Sequence, residues 1–151
     1  MSDYTCFDIA NYFLNLANET GTYLSNLKLQ KLVYYAQAWY LANHDKSLFD
    51  EDFEAWVHGP VIYDLWKKYK EFSYNPIFGD VEKPKIDKKT WNFLGLVTDS
   101  YFSEDAYTLE LMTHKEDPWI LARNGIAPDE PCSSIITKES MKTYFRSRLD
   151  N

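Results

Sequence analysis

Between Ser25 and Asn43 the chain reads Ser-Asn-Leu-Lys-Leu-Gln-Lys-Leu-Val-Tyr-Tyr-Ala-Gln-Ala-Trp-Tyr-Leu-Ala-Asn. Leu29, Leu32, Val33, Ala36, Trp39 and Tyr40 recur at helical spacing and form one continuous apolar stripe. Ser25 is placed to cap the first free amides, and no Gly or Pro interrupts the run. At about 1.5 Å per residue the helix spans roughly 25 Å, the width of a small domain. Leu27, Tyr34, Tyr35 and Leu41 carry apolar and aromatic surface well beyond the stripe, leaving Lys28, Gln30, Lys31 and Gln37 as its strongly polar side chains. A helix with so little surface suited to water belongs at the centre of a bundle.

The remaining chain supplies the surrounding elements. Phe7 to Asn18 predicts a first helix with Ile9, Ala10, Phe13, Leu16 and Ala17 on one face, stopped at Gly21. In the acidic stretch Leu48 to Val57, Phe53, Ala55 and Val57 alternate with Glu54 and Trp56, which permits a short strand. Gly59-Pro60 reads as the start of a helix running to about Phe72, with Pro60 at the first helical position and Ile62, Leu65, Trp66 and Tyr69 facing inward. Ser73 to Lys89 is loop-like. Asp87 caps a helix over Thr90 to Phe102, with Trp91, Leu94, Val97 and Tyr101 inward, and a shorter helix is expected over about Ser103 to Met112.

Thr113-His114-Lys115-Glu116 matches a capping box, and Asp117-Pro118 matches a cap followed by proline; either leads into a helix that stops at Asn124-Gly125. Pro128–Ser134 reads as a loop. Thr137 caps a last helix to about Leu149, with Ile136 and Met141 at staple positions and Lys138, Lys142 and Arg146 as a basic stripe. The expected fold is mainly α: one compact multi-helix domain over residues 1–151 with at most a small β element.

A length of 151 residues suffices for a core that needs no metal or disulfide staple, and aromatics are 17% of the chain. Its formal charge of −7 disfavours nucleic-acid binding over the whole surface and suits a basic protein partner. The basic stripe of the last helix reads as a solvated face, or as a positive end that orients a partner against the acidic loop. Two cysteines without a CxxC pair, and no hydrophobic leader, point to a cytoplasmic location; no apolar run approaches a membrane span.

Catalytic patterns are weak. The acids near Asp50 lack the glycine and spacing of a calcium loop, and His44, His58 and His114 have no zinc-ligand spacing. His114-x-Glu116 with Pro131-Cys132 is only a fragment of the zinc deaminase signature, with Ile135 where the second cysteine belongs. Cys6 and Cys132 have no local partner that marks a nucleophile. No metal or other cofactor is expected.

Several blocks occur in an informative order: Asp8-Ile-Ala with Tyr12-Phe-Leu, Leu27-Lys-Leu-Gln-Lys-Leu-Val-Tyr-Tyr-Ala-Gln-Ala-Trp, Leu48-Phe49 with Glu54-Ala-Trp, Gly59-Pro60-Val61, and Thr113-His114 with Pro118-Trp119 and Ala122-Arg123. Together they resemble the Panacea domain, also called the SocA-like or phage-associated GepA-like domain, across nearly the whole chain. The resemblance implies a non-enzymatic antitoxin that binds and neutralises a cognate protein toxin, by occlusion or by delivery to a ClpXP-type protease. It leaves no room here for the added domain that many members carry, so DNA-binding autoregulation through one is not expected.

Lys28, Gln30, Lys31 and Tyr35 are the candidates for partner contact. His114, Glu116 and Arg123 are expected to form a polar network around the Thr113 cap. The alternatives are a phage binding module for another host protein and a small hydrolase using His114 and Glu116.

Overall fold

The computed structural model describes residues 2–149. The expected central helix is α2, Asn26–His44. The Ser25 hydroxyl accepts the Lys28 amide at 3.2 Å, and Asp45 closes the helix in left-handed conformation at φ 57°. Fourteen of its 19 residues are buried, so the helix is enclosed on nearly every side.

Four more helices pack directly on it: α1 (Cys6–Thr20), α3 (Tyr63–Tyr69), α4 (Lys88–Tyr101) and α5 (Ala106–His114). Then α6 (Asp117–Arg123) bridges α5 and the C-terminal helix α7 (Lys138–Leu149), which lies along α2. The fold is thus mainly α, with one small antiparallel sheet in the order β2-β1-β3, where β1 is Phe53–Trp56, β2 Gly59–Val61 and β3 Ile135–Ile136. Among the described residues no helix is long and apolar enough to cross a membrane.

The core is unusually aromatic where α2 meets α7. Phe145 packs edge-on against Tyr34, Tyr35 and Trp39, while Tyr35 stacks on Tyr101 at 4.0 Å between centroids. The Trp39 indole donates to the Tyr101 hydroxyl at 2.7 Å, which satisfies both polar tips. Such ring pairs contribute about 0.5–1.5 kcal/mol each beyond the area they bury.

Local sequence accounts for most element boundaries. Thr5 and Asp8 form a reciprocal capping box at the start of α1, Asp87 caps α4 by accepting the Thr90 amide at 2.8 Å, and Thr137 accepts the Ser140 amide at 3.1 Å at the head of α7. Ile136 and Met141, the staple pair, are both buried. The strand expected near Phe53 is β1, with Phe53 and Ala55 facing the core.

Four expectations are corrected. Gly59-Pro60 does not begin a helix but forms edge strand β2, with Pro60 opposite Ala55. An edge strand tolerates the missing proline donor, and Gly59 at φ 114° closes the Val57-His58 turn of the hairpin. Helix α3 starts only at Tyr63. Thr113 is not a cap: it lies in the last turn of α5 and its hydroxyl donates to the Glu110 carbonyl at 2.8 Å, while Glu116 occupies the cap position of α6. Trp91 is 48% exposed, with its ring edge-on to Tyr12. Trp66 is half-buried rather than in the core.

The basic stripe of α7 does not stand apart from the acidic loop. Lys138 pairs with Asp52 at 2.6 Å, Lys142 with Asp45 at 2.8 Å, and Arg146 reaches Asp45 at 3.7 Å. The other acids of that loop are also engaged: Asp50 accepts from the Ser2 hydroxyl, Glu51 from the Cys6 amide and Glu54 from the Trp56 indole.

Gly59 has the closest surroundings of the five glycines. A Cβ there would lie 3.1 Å from both Lys31 Cε and Thr113 Oγ1, at a φ that side chains avoid. Gly59→Ala is therefore expected to lower stability by roughly 2 kcal/mol in a denaturant titration. Gly95, inside α4 with open space around it, gives the contrast. Gly95→Ala is expected to raise stability by about 0.5–1 kcal/mol through helix propensity.

Candidate functional site

Gln30 and Gln37 stand seven residues apart on α2 and are fully buried. Burying an amide without partners costs on the order of 1–3 kcal/mol, and here both ends of both side chains are used. Gln30 accepts the Ile62 amide at 2.9 Å and donates to Asn26 at 3.1 Å; Asn26 in turn donates to the Trp66 carbonyl at 3.0 Å. Gln37 accepts the Leu48 amide at 2.8 Å and donates to the Phe49 carbonyl at 2.7 Å. Each glutamine thus takes the place of backbone pairing where a chain segment enters or leaves the sheet.

The expected contact patch lies inside the protein. Gln30, Lys31 and Tyr35 are fully buried and Lys28 is 7% exposed, so in this conformation they offer a partner almost no surface. Lys28 donates to the Phe102 carbonyl at 2.6 Å, with its ammonium 5.1 Å from the Phe102 ring. Lys31 donates to the Leu27 carbonyl at 3.2 Å, and burial pulls its ammonium down to about 8 despite the charge of Glu110. They face inward because α2 is covered on all sides, which the stripe alone does not show for charged residues.

His114, Glu116 and Arg123 gather on Trp119 and Tyr35 rather than on a threonine cap. The His114 ring stacks on Trp119 at 4.0 Å and 16°, and the Arg123 guanidinium lies 4.7 Å from the same indole. Trp119 donates its N–H to the Trp56 carbonyl at 2.8 Å. Arg123, 2% exposed, donates to the carbonyls of Ala55 and Ala127, both at 2.7 Å, and of Glu130. One buried arginine therefore ties α6 to β1 and to the 127–130 loop. Glu116 accepts the Tyr35 hydroxyl at 2.9 Å, joining α6 to α2.

These groups do not assemble a catalytic constellation. His114 Nε2 is buried without a partner and burial lowers the imidazole pKa, whereas Glu116 is bonded to Tyr35. Burial pushes the Glu116 carboxyl up to about 7, against the opposing effects of the Tyr35 hydrogen bond and the Arg148 charge.

An open concave surface lies elsewhere. A groove of about 730 Å³ runs between the β1–β2 hairpin, α3 and the 131–133 segment. Its walls include Glu54, Trp56, Tyr63, Trp66, Tyr74 and Cys132. Trp56 and Trp66 meet edge-on at 5.3 Å, and Tyr63 lies nearly parallel to Trp66 at 6.2 Å. Tyr63 is 46% and Tyr74 79% exposed. Sequence reading placed Trp66 in the core and missed this surface. The available signal was the i, i+3 spacing of Tyr63 and Trp66 on a face offset from Leu65 and Tyr69.

Because Glu116 binds its proton more tightly folded than unfolded, its contribution to stability is present below about pH 4.5 and lost as pH rises to about 7. His114, with a lowered pKa, acts in the opposite sense below pH 6.5 and is common to wild type and variant. Glu116→Gln keeps an acceptor for Tyr35 and removes the titration. Its stability relative to wild type is expected to rise between pH 4.5 and 7.5, by at most about 3 kcal/mol. Urea titrations at stepped pH measure this.

The sequence profile described as "Antitoxin SocA-like, Panacea domain" matches residues 29–120, the span from α2 into α6 that holds both glutamine clamps, the hairpin and most of the polar network. "Antitoxin SocA" of Caulobacter vibrioides (strain NA1000 / CB15N) is 42% identical over 53 residues, which cover 35% of this chain and 28% of that protein's length. No solved structure matches. With well over half of its length matched by that profile, the chain belongs to the SocA-like antitoxin, Panacea-domain family.

Proposed function

We propose that this protein is the antitoxin of a toxin–antitoxin pair, a non-enzymatic binder that neutralises a cognate protein toxin. The observation that carries this reading is the family match over residues 29–120, together with a relative named as an antitoxin. The chemistry of the interior agrees with it. Each polar group grouped with the family motif serves a hydrogen bond, a ring contact or a backbone clamp, and the hydrolase pair His114 and Glu116 is split between Trp119 and Tyr35. The aromatic groove suits recognition, because Trp and Tyr are among the residues that dominate binding energy at protein interfaces. Neutralisation is stoichiometric, through occlusion of the toxin or its hand-over to a ClpXP-type protease.

The test is growth rescue. The product of the adjacent gene is expressed alone and with this protein in a bacterial host, and the pair is purified through a tag on one member. Relief of toxicity with a one-to-one complex is the expected outcome. A toxin half-life shortened by the antitoxin only in ClpXP-positive cells identifies degradation, and an unchanged half-life identifies occlusion. A harmless neighbour, or rescue without a complex, overturns the antitoxin reading in favour of a binder of another host protein.

A further inference from the structure

The groove between the β1–β2 hairpin, α3 and the 131–133 segment is framed by rings in mutual contact. Trp56 meets Trp66 at 5.3 Å and Tyr63 at 6.5 Å, and the Tyr63 ring lies at 29° to Trp66. Tyr74 adds an exposed ring to the same walls. Charge does not choose the occupant. The walls hold one carboxylate, Glu54, already bonded to the Trp56 indole at 2.9 Å, one ammonium, Lys70, and His58, bonded to Glu110 at 2.9 Å.

Hydrogen-bond chemistry does choose it. The indoles of Trp39, Trp56 and Trp119 each donate within the fold, whereas the Trp66 indole has no acceptor among the described residues. The Lys70 ammonium and the hydroxyls of Tyr63, Ser73 and Tyr74 are likewise without one. An indole and an ammonium can only donate. The walls therefore offer ring faces and spare donors, and the matching ligand is apolar with free acceptors.

Three backbone conformations are available to a peptide ligand. A strand needs an unpaired sheet edge, and β1, which supplies Glu54 and Trp56, is paired on both sides by β2 and β3. A helix bonds its carbonyls internally and leaves the wall donors unmet. A polyproline II segment makes no internal hydrogen bonds, so its carbonyls are free, and its prolyl rings lack an N–H and dock on aromatic faces.

We infer that the groove is a docking site for a proline-rich segment of a partner protein, bound in the polyproline II conformation. Prolyl rings lie against Trp56, Tyr63, Trp66 and Tyr74, and the Trp66 indole donates to a carbonyl of the segment. Little ordering entropy is lost, because the bound conformation is preformed. The inference fixes the chemistry of the occupant and stands apart from the antitoxin reading.

The test adds a proline decamer to the folded protein and follows the five tryptophan indole N–H signals by NMR. Trp66→Phe keeps a ring, deletes the donor and assigns the Trp66 signal. Tyr63→Ala with Tyr74→Ala removes the exposed rings. Circular dichroism and melting confirm that each variant is folded. A Gly-Ser decamer and an amphipathic helical peptide are the controls.

Saturable binding of the proline decamer, with Kd on the order of 1 mM or tighter and a shift of the Trp66 signal, is expected. Trp66→Phe is expected to weaken it by roughly three- to tenfold, and the double variant by roughly tenfold or more. The inference is overturned by absence of saturation in wild type, by equal binding of the Gly-Ser decamer, by preference for the helical peptide, or by unchanged affinity in both variants. A concentration-dependent dimer that the double variant dissolves also overturns it, by giving the groove to a second copy. Growth rescue by the wild-type protein is independent of each of these outcomes.

Discussion

A helix enclosed on nearly every side must satisfy its own polar side chains without water, and the whole architecture follows from how α2 does this. Gln30 and Gln37 bond to backbone groups at Ile62, Leu48 and Phe49. An apolar side chain at either site would leave buried amides or carbonyls of the neighbouring loops unpaired. The two glutamines therefore fix where the chain approaches β1 and where it leaves β2 for α3. Lys31, between them in the chain, packs its stem where Gly59 lacks a side chain, with Thr113 on the same spot. Three separated sequence blocks meet at that point.

Gln30, Lys31, Gln37, Gly59 and Thr113 are interior and sit at junctions between elements, and Arg123 holds three backbone carbonyls. Trp56 joins the network to the groove: its carbonyl receives the Trp119 indole while its ring forms part of the groove wall.

The legibility of these features in the sequence follows their range. The caps at Ser25, Asp87 and Thr137, the stop at Asn124 and the apolar face of α2 are decided by residues within one or two turns, and they were readable. The hairpin was not, because Gly59-Pro60 satisfies the local rules for a helix start. Its strand identity comes from pairing with Ala55 and from the contact with Lys31. Thr113 failed for the same reason, since α5 continues through it. The partner-contact candidates on α2 stand near one another in the sequence pattern, but their burial is decided by tertiary cover from α4, α5 and β2. The grouping of His114, Glu116 and Arg123 was visible, but its centre, Trp119, required coordinates.

The placement of α7 also bears on how the molecule is made. The aromatic face of α2 that carries Tyr34, Tyr35 and Trp39 is sealed by Phe145, which follows it by more than a hundred residues. Synthesis runs from the N-terminus, so this face emerges early and waits for α7 before it is covered. A nascent chain cut short anywhere before α7 carries an open aromatic seam down its central helix. Exposed apolar surface of that kind is aggregation-prone, so closure of α7 over α2 is the step that removes it.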